Sequence, residues 1–139
     1  MSQQIKLEND LKKLLQSIKP TLHSGDYVFC TVKNTKQIDT NNAIFLFKEE
    51  EGITVVLEKE IADRQELVYN FIAGWITLNV YSSLEAVGLT AAFSKALAKE
   101  NVSCNVVAAY YHDHIFVDRK DAEKAMTILT RLSSDHNVF

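Results

Sequence analysis

The sequence is poor in the features that interrupt a compact fold or mark a membrane protein. One proline and four glycines in 139 residues argue against long linkers and disordered segments. No apolar run approaches the roughly 20 residues that a bilayer-spanning helix needs, and the N-terminus lacks the apolar core of a signal peptide. We therefore expect a cytoplasmic chain without a membrane partner, built as one domain or as two small modules that share a core.

Positive charge is not in excess, and cysteine is scarce. Acidic residues outnumber basic ones by 18 to 15, so no general attraction to nucleic acid is predicted. Cys30 and Cys104 lack the CxxC spacing, and both are expected to be reduced thiols buried in strands. The chain also lacks a nucleophile elbow, a phosphate-binding glycine loop and a zinc-protease motif. We therefore predict no cofactor, no metal and no enzymatic activity.

Apolar periodicity predicts alternating strands and helices along the chain. A first amphipathic helix runs from about Leu7 to Ile18 and is stopped by Pro20. The segments Thr21–Asp26 and Lys33–Asn42 are predicted loops, the second with little order of its own. The predicted strands are Tyr27–Val32, Ala43–Phe47, Ile53–Leu57, Trp75–Val80, Val102–Ala109 and Ile115–Val117, and the other predicted helices are Lys59–Leu67, Leu84–Lys99 and one capped by Asp118 that reaches Leu132.

A faint internal repeat suggests two modules. The order strand, turn, strand, helix from Ala43 to Leu67 recurs at a constant offset from Asn105 to Leu129. Two βαββα-type units are the economical interpretation. The predicted fold class is α+β, with antiparallel sheets that carry their helices on one face. We predict an N-terminal degenerate module in residues 1–73 and a C-terminal module in residues 74–139.

The helix predicted for Leu84–Lys99 has a clear local start signal. Ser82 and Ser83 are N-cap candidates, and Ser82 and Glu85 have the spacing of a capping box. Small or apolar residues occur on both sides of this helix, and such a helix is usually covered on both sides. We expect the second cover to be another part of the chain or another subunit, which would make the protein a homodimer or a larger oligomer.

Four motifs carry a resemblance to a known family: Gly52–Val56, Ser82–Thr90, Cys104–Val107 and His112–Val117. With them the chain resembles the ACT-domain superfamily. More narrowly, it is similar to small stand-alone bacterial proteins with paired ACT modules, which look like the regulatory tail of aspartokinases without a kinase domain.

The resemblance implies two ferredoxin-like βαββαβ modules. The second half of the chain shows five of the six elements in the right order. Its sixth strand would have to come from the first half or from a partner. The first half lacks a full helix between Tyr27–Val32 and Ala43–Phe47, because Lys33–Asn42 is too polar and too short.

The resemblance also implies regulation by a small molecule, most often an amino acid, bound between modules. Backbone N–H groups at a helix start suit a ligand carboxylate, and an asparagine can serve an amino or amide group. The alternative is that these residues only cap and pack. Carried onto this chain, the expected ligand-binding residues are Ser82, Ser83, Leu84, Glu85, Ala86, Val87 and Gly88 at the helix start, with Asn105 and Val106 on the facing strand.

His112, Asp113 and His114 form a second candidate ligand-binding group. In an extended segment the two histidines share a face. They could hold a ligand or respond to pH at a subunit boundary. A metal would need further ligands that the spacing does not supply, and a hydrogen-bonded turn is the plainer interpretation.

Two other functions stay open at this point. The chain could be a protein–protein interaction module that adjusts a metabolic enzyme or a transporter. It could also be an enzyme that uses His112, Asp113 and His114 together with Ser83.

Overall fold

The structure is a computed structural model that describes residues 11–79 and 88–134. Residues 11–17 form the described part of helix α1. The other elements are β1 (Lys19–Leu22), β2 (Tyr27–Val32), β3 (Phe45–Lys48), β4 (Ile53–Glu58), α2 (Lys59–Arg64), β5 (Tyr69–Asn79), α3 (Leu89–Lys99), β6 (Asn105–Ala108), β7 (Asp113–Asp118) and α4 (Ala122–Ser134).

The strands of the described residues form one seven-stranded antiparallel sheet centred on β5. Its order is β3-β4-β2-β5-β7-β6, and β1 also pairs with β5. The first part of β5, up to Ala73, pairs with β2, and the part from Ile76 pairs with β1. On its other edge β5 pairs with β7. The N-terminal module therefore has the strand order β3-β4-β2-β5, and the C-terminal module has the order β1-β5-β7-β6.

This topology confirms the predicted α+β fold of two ferredoxin-like modules and shows how each is completed. The missing sixth strand of the C-terminal module is β1, which comes from the first half of the chain. The strand β5 serves both modules and runs through the predicted boundary between residues 73 and 74. That boundary remains a prediction about domain organisation.

The alternation of β5 sets the two faces of the sheet. Ile76 and Leu78 join a core that also contains Phe93 and Leu97 of α3 and Leu129 of α4. A smaller core under α2 contains Val28, Cys30, Val55, Leu57 and Ala62. We call this side of the sheet the helix face. The predicted apolar stripe of the last helix is confirmed, since Ala122, Ala125, Leu129 and Leu132 are buried.

The opposite side of the sheet, the aromatic face, has its own cluster without a helical residue. Its buried members are Tyr27, Val56, Ala73 and Phe116. The surrounding side chains are largely aromatic, and several rings meet edge to face at centroid distances of 5.4–5.9 Å, a favourable geometry for such pairs. The partly buried members are Phe29, Ile44, Phe45, Phe71, Trp75 and Val107.

Several local predictions need correction. The segment after α1 continues as β1, where Pro20 is tolerated because, among the described residues, β1 pairs with β5 alone. Lys33–Asn42 forms no α-helix, as predicted, but it is not without order. It folds into two 3₁₀ turns, Thr35–Gln37 and Thr40–Asn42, capped by the side chains of Asn34 and Asp39.

Helix boundaries also differ from the sequence-based predictions. The helix α2 ends at Arg64 rather than Leu67, and Glu66 adopts a positive φ of 55°. The helix α3 begins at Leu89 rather than Leu84, with Gly88 at the N-cap position. The predicted caps Ser82 and Ser83 lie outside the described residues. Asp118 is a cap as predicted, but for the 3₁₀ turn Arg119–Asp121 that leads into α4.

Both cysteines are free thiols, although only Cys30 lies within a strand. Cys104 is half-buried and directly precedes β6. Burial, together with nearby Asp63, raises the pKa of Cys30 to about 11. Burial likewise raises the pKa of Cys104 to about 11. Both groups are therefore protonated near neutral pH. No helix within residues 11–79 and 88–134 is long and apolar enough to cross a membrane.

Candidate binding cavity on the aromatic face

A cavity of about 300 Å³ opens on the aromatic face. Its walls come from both modules: the segment into β3 on one side, β6 and β7 on the other, and β5 between them. Most of the lining is apolar, and the polar side-chain atoms on it belong to a tryptophan and a histidine. The lining residues are Ala43, Ile44, Phe45, Trp75, Val107, Ala109, His114 and Phe116.

His114 is held in the cavity wall by a hydrogen-bonded chain of side chains. Its Nδ1 lies 3.1 Å from Nε1 of Trp75, which donates to it, and 3.0 Å from Oγ1 of Thr77. Oγ1 of Thr77 lies 2.7 Å from Nε2 of His23. The His23 ring stacks on Trp75 at a centroid distance of 3.6 Å. We call these four side chains the histidine network.

Strand pairing explains why the histidine network assembles. Thr77 of β5 lies directly opposite His114 of β7, so their side chains share a face. His23 follows β1 and donates its backbone N–H to the Trp75 carbonyl oxygen over 2.9 Å. Thr77 is only 7% exposed. The chain of hydrogen bonds thus satisfies a buried hydroxyl that would otherwise destabilise the fold.

Burial lowers the pKa of both His114 and His23. Desolvation lowers the pKa of His114, and the like charges of His112 and His23 lower it further. Desolvation alone lowers the pKa of His23. Both rings are therefore neutral at pH 7, which agrees with the donor to His114 Nδ1 from Trp75.

The predicted group His112, Asp113 and His114 is split by the sheet. The rings of His112 and His114 meet edge to face at 6.5 Å. Asp113 lies opposite Leu78 and so projects to the helix face, where burial raises its pKa. The carboxylate is thus not placed against the His114 ring, and the three side chains do not form a catalytic triad.

The residues predicted on the facing strand also divide between the faces. Asn105 lies opposite Phe116 and donates from Nδ2 to the Phe116 carbonyl oxygen over 3.1 Å. Val106 lies opposite Ile115 and packs against the helix-face core. The two side chains of this pair therefore lie on opposite faces of β6.

Gly88 lies on the helix side of the sheet, at the start of α3. Its φ of +92° favours glycine, and a Cβ at this position would stand only 3.0 Å from the side chain of Leu11. The structure therefore does not bring Gly88 together with His114. Ser82, Ser83, Leu84, Glu85, Ala86 and Val87 lie outside the described residues.

Sequence reasoning missed most of the cavity. Trp75 and Thr77 were visible as alternate residues of one strand, but His23 fell in a predicted loop. The contact between His23 and Thr77 spans 54 residues and depends on the unpredicted strand β1. Within the described part of the chain, no three His, Cys, Asp or Glu side chains are grouped to hold a metal ion.

Comparisons with known proteins identify the family. ACT-domain family models match residues 7–74 and residues 70–131. A solved structure from Vibrio cholerae, a protein of unknown function and possible transport protein, is 45% identical, with a TM-score of 0.82 over 91% of this chain and 98% of that chain. No protein of curated function matches the sequence significantly.

More distant structures agree in fold alone. A protein from Agrobacterium tumefaciens is 17% identical, with a TM-score of 0.64 over 84% of this chain and 89% of that chain. The regulatory subunit of aspartate kinase from Thermus thermophilus is 7% identical, with a TM-score of 0.60 over 84% of this chain and 98% of that chain. The chain belongs to the ACT-domain family, with paired modules that resemble the regulatory tail of aspartokinases.

Proposed function

We propose that this protein is a regulatory protein without catalytic activity that binds a small molecule between its two ACT modules. Family membership supports a regulatory, ligand-binding role in general terms. The observation that carries the proposal for this chain is the cavity on the aromatic face, whose walls come from both modules. The proposed location is cytoplasmic.

The dimensions of the cavity suit a small metabolite. A volume of about 300 Å³ is at the lower end of the range for ligand pockets. A ligand that contacts Phe45 of one module and Val107 and His114 of the other binds only when these walls are correctly spaced. It therefore stabilises that arrangement relative to others, which is the physical basis of a regulatory response. Amino acids are the first ligands to test because of the family resemblance.

The start of α3 is the second proposed location for an amino acid. Within Leu89–Lys99, the described extent of α3, the first turn carries no acidic side chain that would compete with a ligand for its amides. The proposed contacts are Ser82–Gly88, Asn105 and Val106. A homodimer or larger oligomer fits the exposure of Ala91 and Ala98 on the outer side of α3, and sedimentation analysis would measure it.

Thermal unfolding against a panel of amino acids and related metabolites tests the proposal. A ligand at 100 times its dissociation constant stabilises the native state by about 2.7 kcal/mol, a shift of several degrees. Ala109→Trp fills the cavity, and we expect it to abolish the shift. Ala108→Trp is the matched control, because Ala108 is exposed and pairs with Asp113 on the other face.

The variants separate the two locations. A shift that Ser83→Trp removes and Ala109→Trp preserves would place the ligand at the start of α3. If no amino acid, related metabolite or uncharged aromatic compound shifts the unfolding midpoint, and the wild type and Ala109→Trp are indistinguishable, the proposed function is refuted.

A protein–protein interaction module is the second candidate function, and one observation favours it. Tyr110 and Tyr111 are 82% and 73% exposed in the β6–β7 hairpin and pack against each other. Exposed tyrosines are enriched in interfaces. Replacing both with serine should abolish capture of a stoichiometric partner from native extract while leaving any ligand-induced thermal shift intact.

A further inference from the structure

We propose that the cavity selects an uncharged, largely apolar or aromatic small molecule with one hydrogen-bond acceptor, which Nε2–H of His114 recognises. The inference rests on the proposed function and names the class of ligand for the same cavity. It departs from the zwitterionic amino acid that the family resemblance suggests.

The first step is the protonation state of His114 Nδ1. The indole Nε1–H of Trp75 can donate but not accept. Its distance of 3.1 Å from His114 Nδ1 therefore requires an unprotonated Nδ1. A neutral imidazole then carries its proton on Nε2, so the ring offers a donor from that atom.

The contacts of Thr77 and His23 are compatible with this tautomer. Because Nδ1 carries no proton, the Thr77 hydroxyl can interact with it at 3.0 Å only as a donor. The Thr77 oxygen is then free to accept from Nε2–H of His23 at 2.7 Å. In this arrangement the hydrogen bonds run from His23 through Thr77 to His114, and Thr77 and Trp75 share the single lone pair of Nδ1.

Among the described residues, the rest of the cavity lining supplies no charged side chain for a ligand to pair with. Seven of the eight lining residues have apolar or aromatic side chains, and the Trp75 N–H is committed to His114. Asp113, the acidic neighbour of His114, projects to the helix face. The ammonium and carboxylate of an amino acid would find no oppositely charged side chain among these residues, and burying an ionised group without such a partner is costly in free energy.

The lowered pKa of His114 points the same way. Desolvation and two neighbouring histidines oppose a positive charge on the ring. A neutral acceptor such as a ketone or amide oxygen needs only the neutral N–H donor. The aromatic side chains of Phe45, Trp75 and Phe116 would pack against its apolar body.

Three compounds with the same phenyl group test the ligand class. Acetophenone has one carbonyl acceptor, isopropylbenzene has the same shape without an acceptor, and phenylglycine adds both amino-acid charges. Titration into the intact protein should give the tightest binding for acetophenone. We expect a preference of about tenfold over isopropylbenzene, which corresponds to one hydrogen bond of about 1.4 kcal/mol.

His114→Phe should remove this preference while keeping an aromatic ring in the wall. The affinity for isopropylbenzene should stay the same within about twofold. His114→Gln restores an amide donor and an acceptor for Trp75, so it should recover part of the preference for the ketone.

A measurement on the wild type without ligand tests the inference even if the variants fail to fold. In the ¹⁵N-labelled wild type, long-range ¹H–¹⁵N correlation should show His114 Nδ1 unprotonated and Nε2 protonated. A protonated Nδ1 would overturn the inference whatever the variants do.

The binding outcomes separate this inference from the proposed function. Tighter binding of phenylglycine, or equal binding of acetophenone and isopropylbenzene, would overturn the inference and leave a ligand-binding cavity in place. If Ala109→Trp and the wild type respond alike to all three compounds and to the amino-acid panel, the proposed function fails as well.

Discussion

Thr77 is the most informative residue to change, because it is the buried junction of the histidine network. Thr77→Val keeps the side-chain shape and the β-branched preference for a strand, but it removes the hydroxyl. The Nε2–H of His23 then loses its acceptor at 2.7 Å, and Nδ1 of His114 keeps only the Trp75 donor. The substitution therefore tests whether the network stabilises the fold.

The magnitude follows from the two contacts that are lost. A buried donor without a partner costs about 1–3 kcal/mol, and a satisfied neutral hydrogen bond contributes about 1 kcal/mol. Because His23 is partly buried, it recovers some of this by contact with water. We therefore expect Thr77→Val to lower the free energy of unfolding by about 2 kcal/mol.

Urea unfolding at pH 7.5 is the assay. Thr31→Val is the matched control, since Thr31 is an exposed strand residue of β2, and it should change stability by less than about 0.5 kcal/mol. An effect of Thr77→Val as small as that of the control would show that the hydrogen-bonded chain does not support the fold. The tautomer assigned to His114 would then rest on Trp75 alone.

Three further predictions concern protonation, a helix start and its control. The pKa of His114 and that of His23 are lowered from 6.5 in the folded chain. As the pH falls, the unfolded chain therefore takes up protons on these histidines before the folded chain does. The free energy of unfolding should have its full value above pH 6.5 and decrease as the pH drops through 6.5 towards the lowered pKa values. Urea unfolding between pH 7.5 and 5.5 measures this decrease, which should be smaller in His114→Phe. An increase in stability on acidification would contradict the prediction. Gly88→Ala should destabilise the chain by about 2 kcal/mol or more, because an alanine is strained at φ +92° and its Cβ would stand 3.0 Å from Leu11. Gly25→Ala has a similar φ of +94° but no atom within 4 Å, so it should cost only the backbone strain of about 1–2 kcal/mol, and equal losses in the two variants would show that the Leu11 contact is unimportant.

Local periodicity was enough to predict much of the fold. Alternation in β5 separated Ile76 and Leu78 from Trp75 and Thr77, and the structure places these pairs on opposite faces. The helical spacing of Ala122–Leu132 likewise identified the buried stripe of α4. Such patterns can be recognised in the sequence because each depends only on neighbouring residues and on the rule that apolar side chains are buried.

The start of α3 shows where local signals fail. Ser82 and Glu85 have a capping-box spacing, but the helix begins after Gly88, whose positive φ suits a sharp entry. Gly88 also allows Leu11 to approach closely. The close approach of Leu11 to Gly88 joins segments far apart in sequence. It therefore cannot be predicted from the residues around Ser82.

The cavity was beyond sequence reasoning for the same reason, and its position explains how it could regulate. Trp75 lies on β5 between Ala73, the last residue paired with β2, and Ile76, the first paired with β1. The strand β5 thus passes from the N-terminal to the C-terminal module at Trp75, which stacks on His23 and donates a hydrogen bond to His114. A shift of one module against the other would alter the twist of β5 at this point, and with it the spacing between Phe45 and Val107. A ligand in the cavity would therefore act on the relative placement of the modules directly, through the strand that they share, and would need no separate relay through the helices.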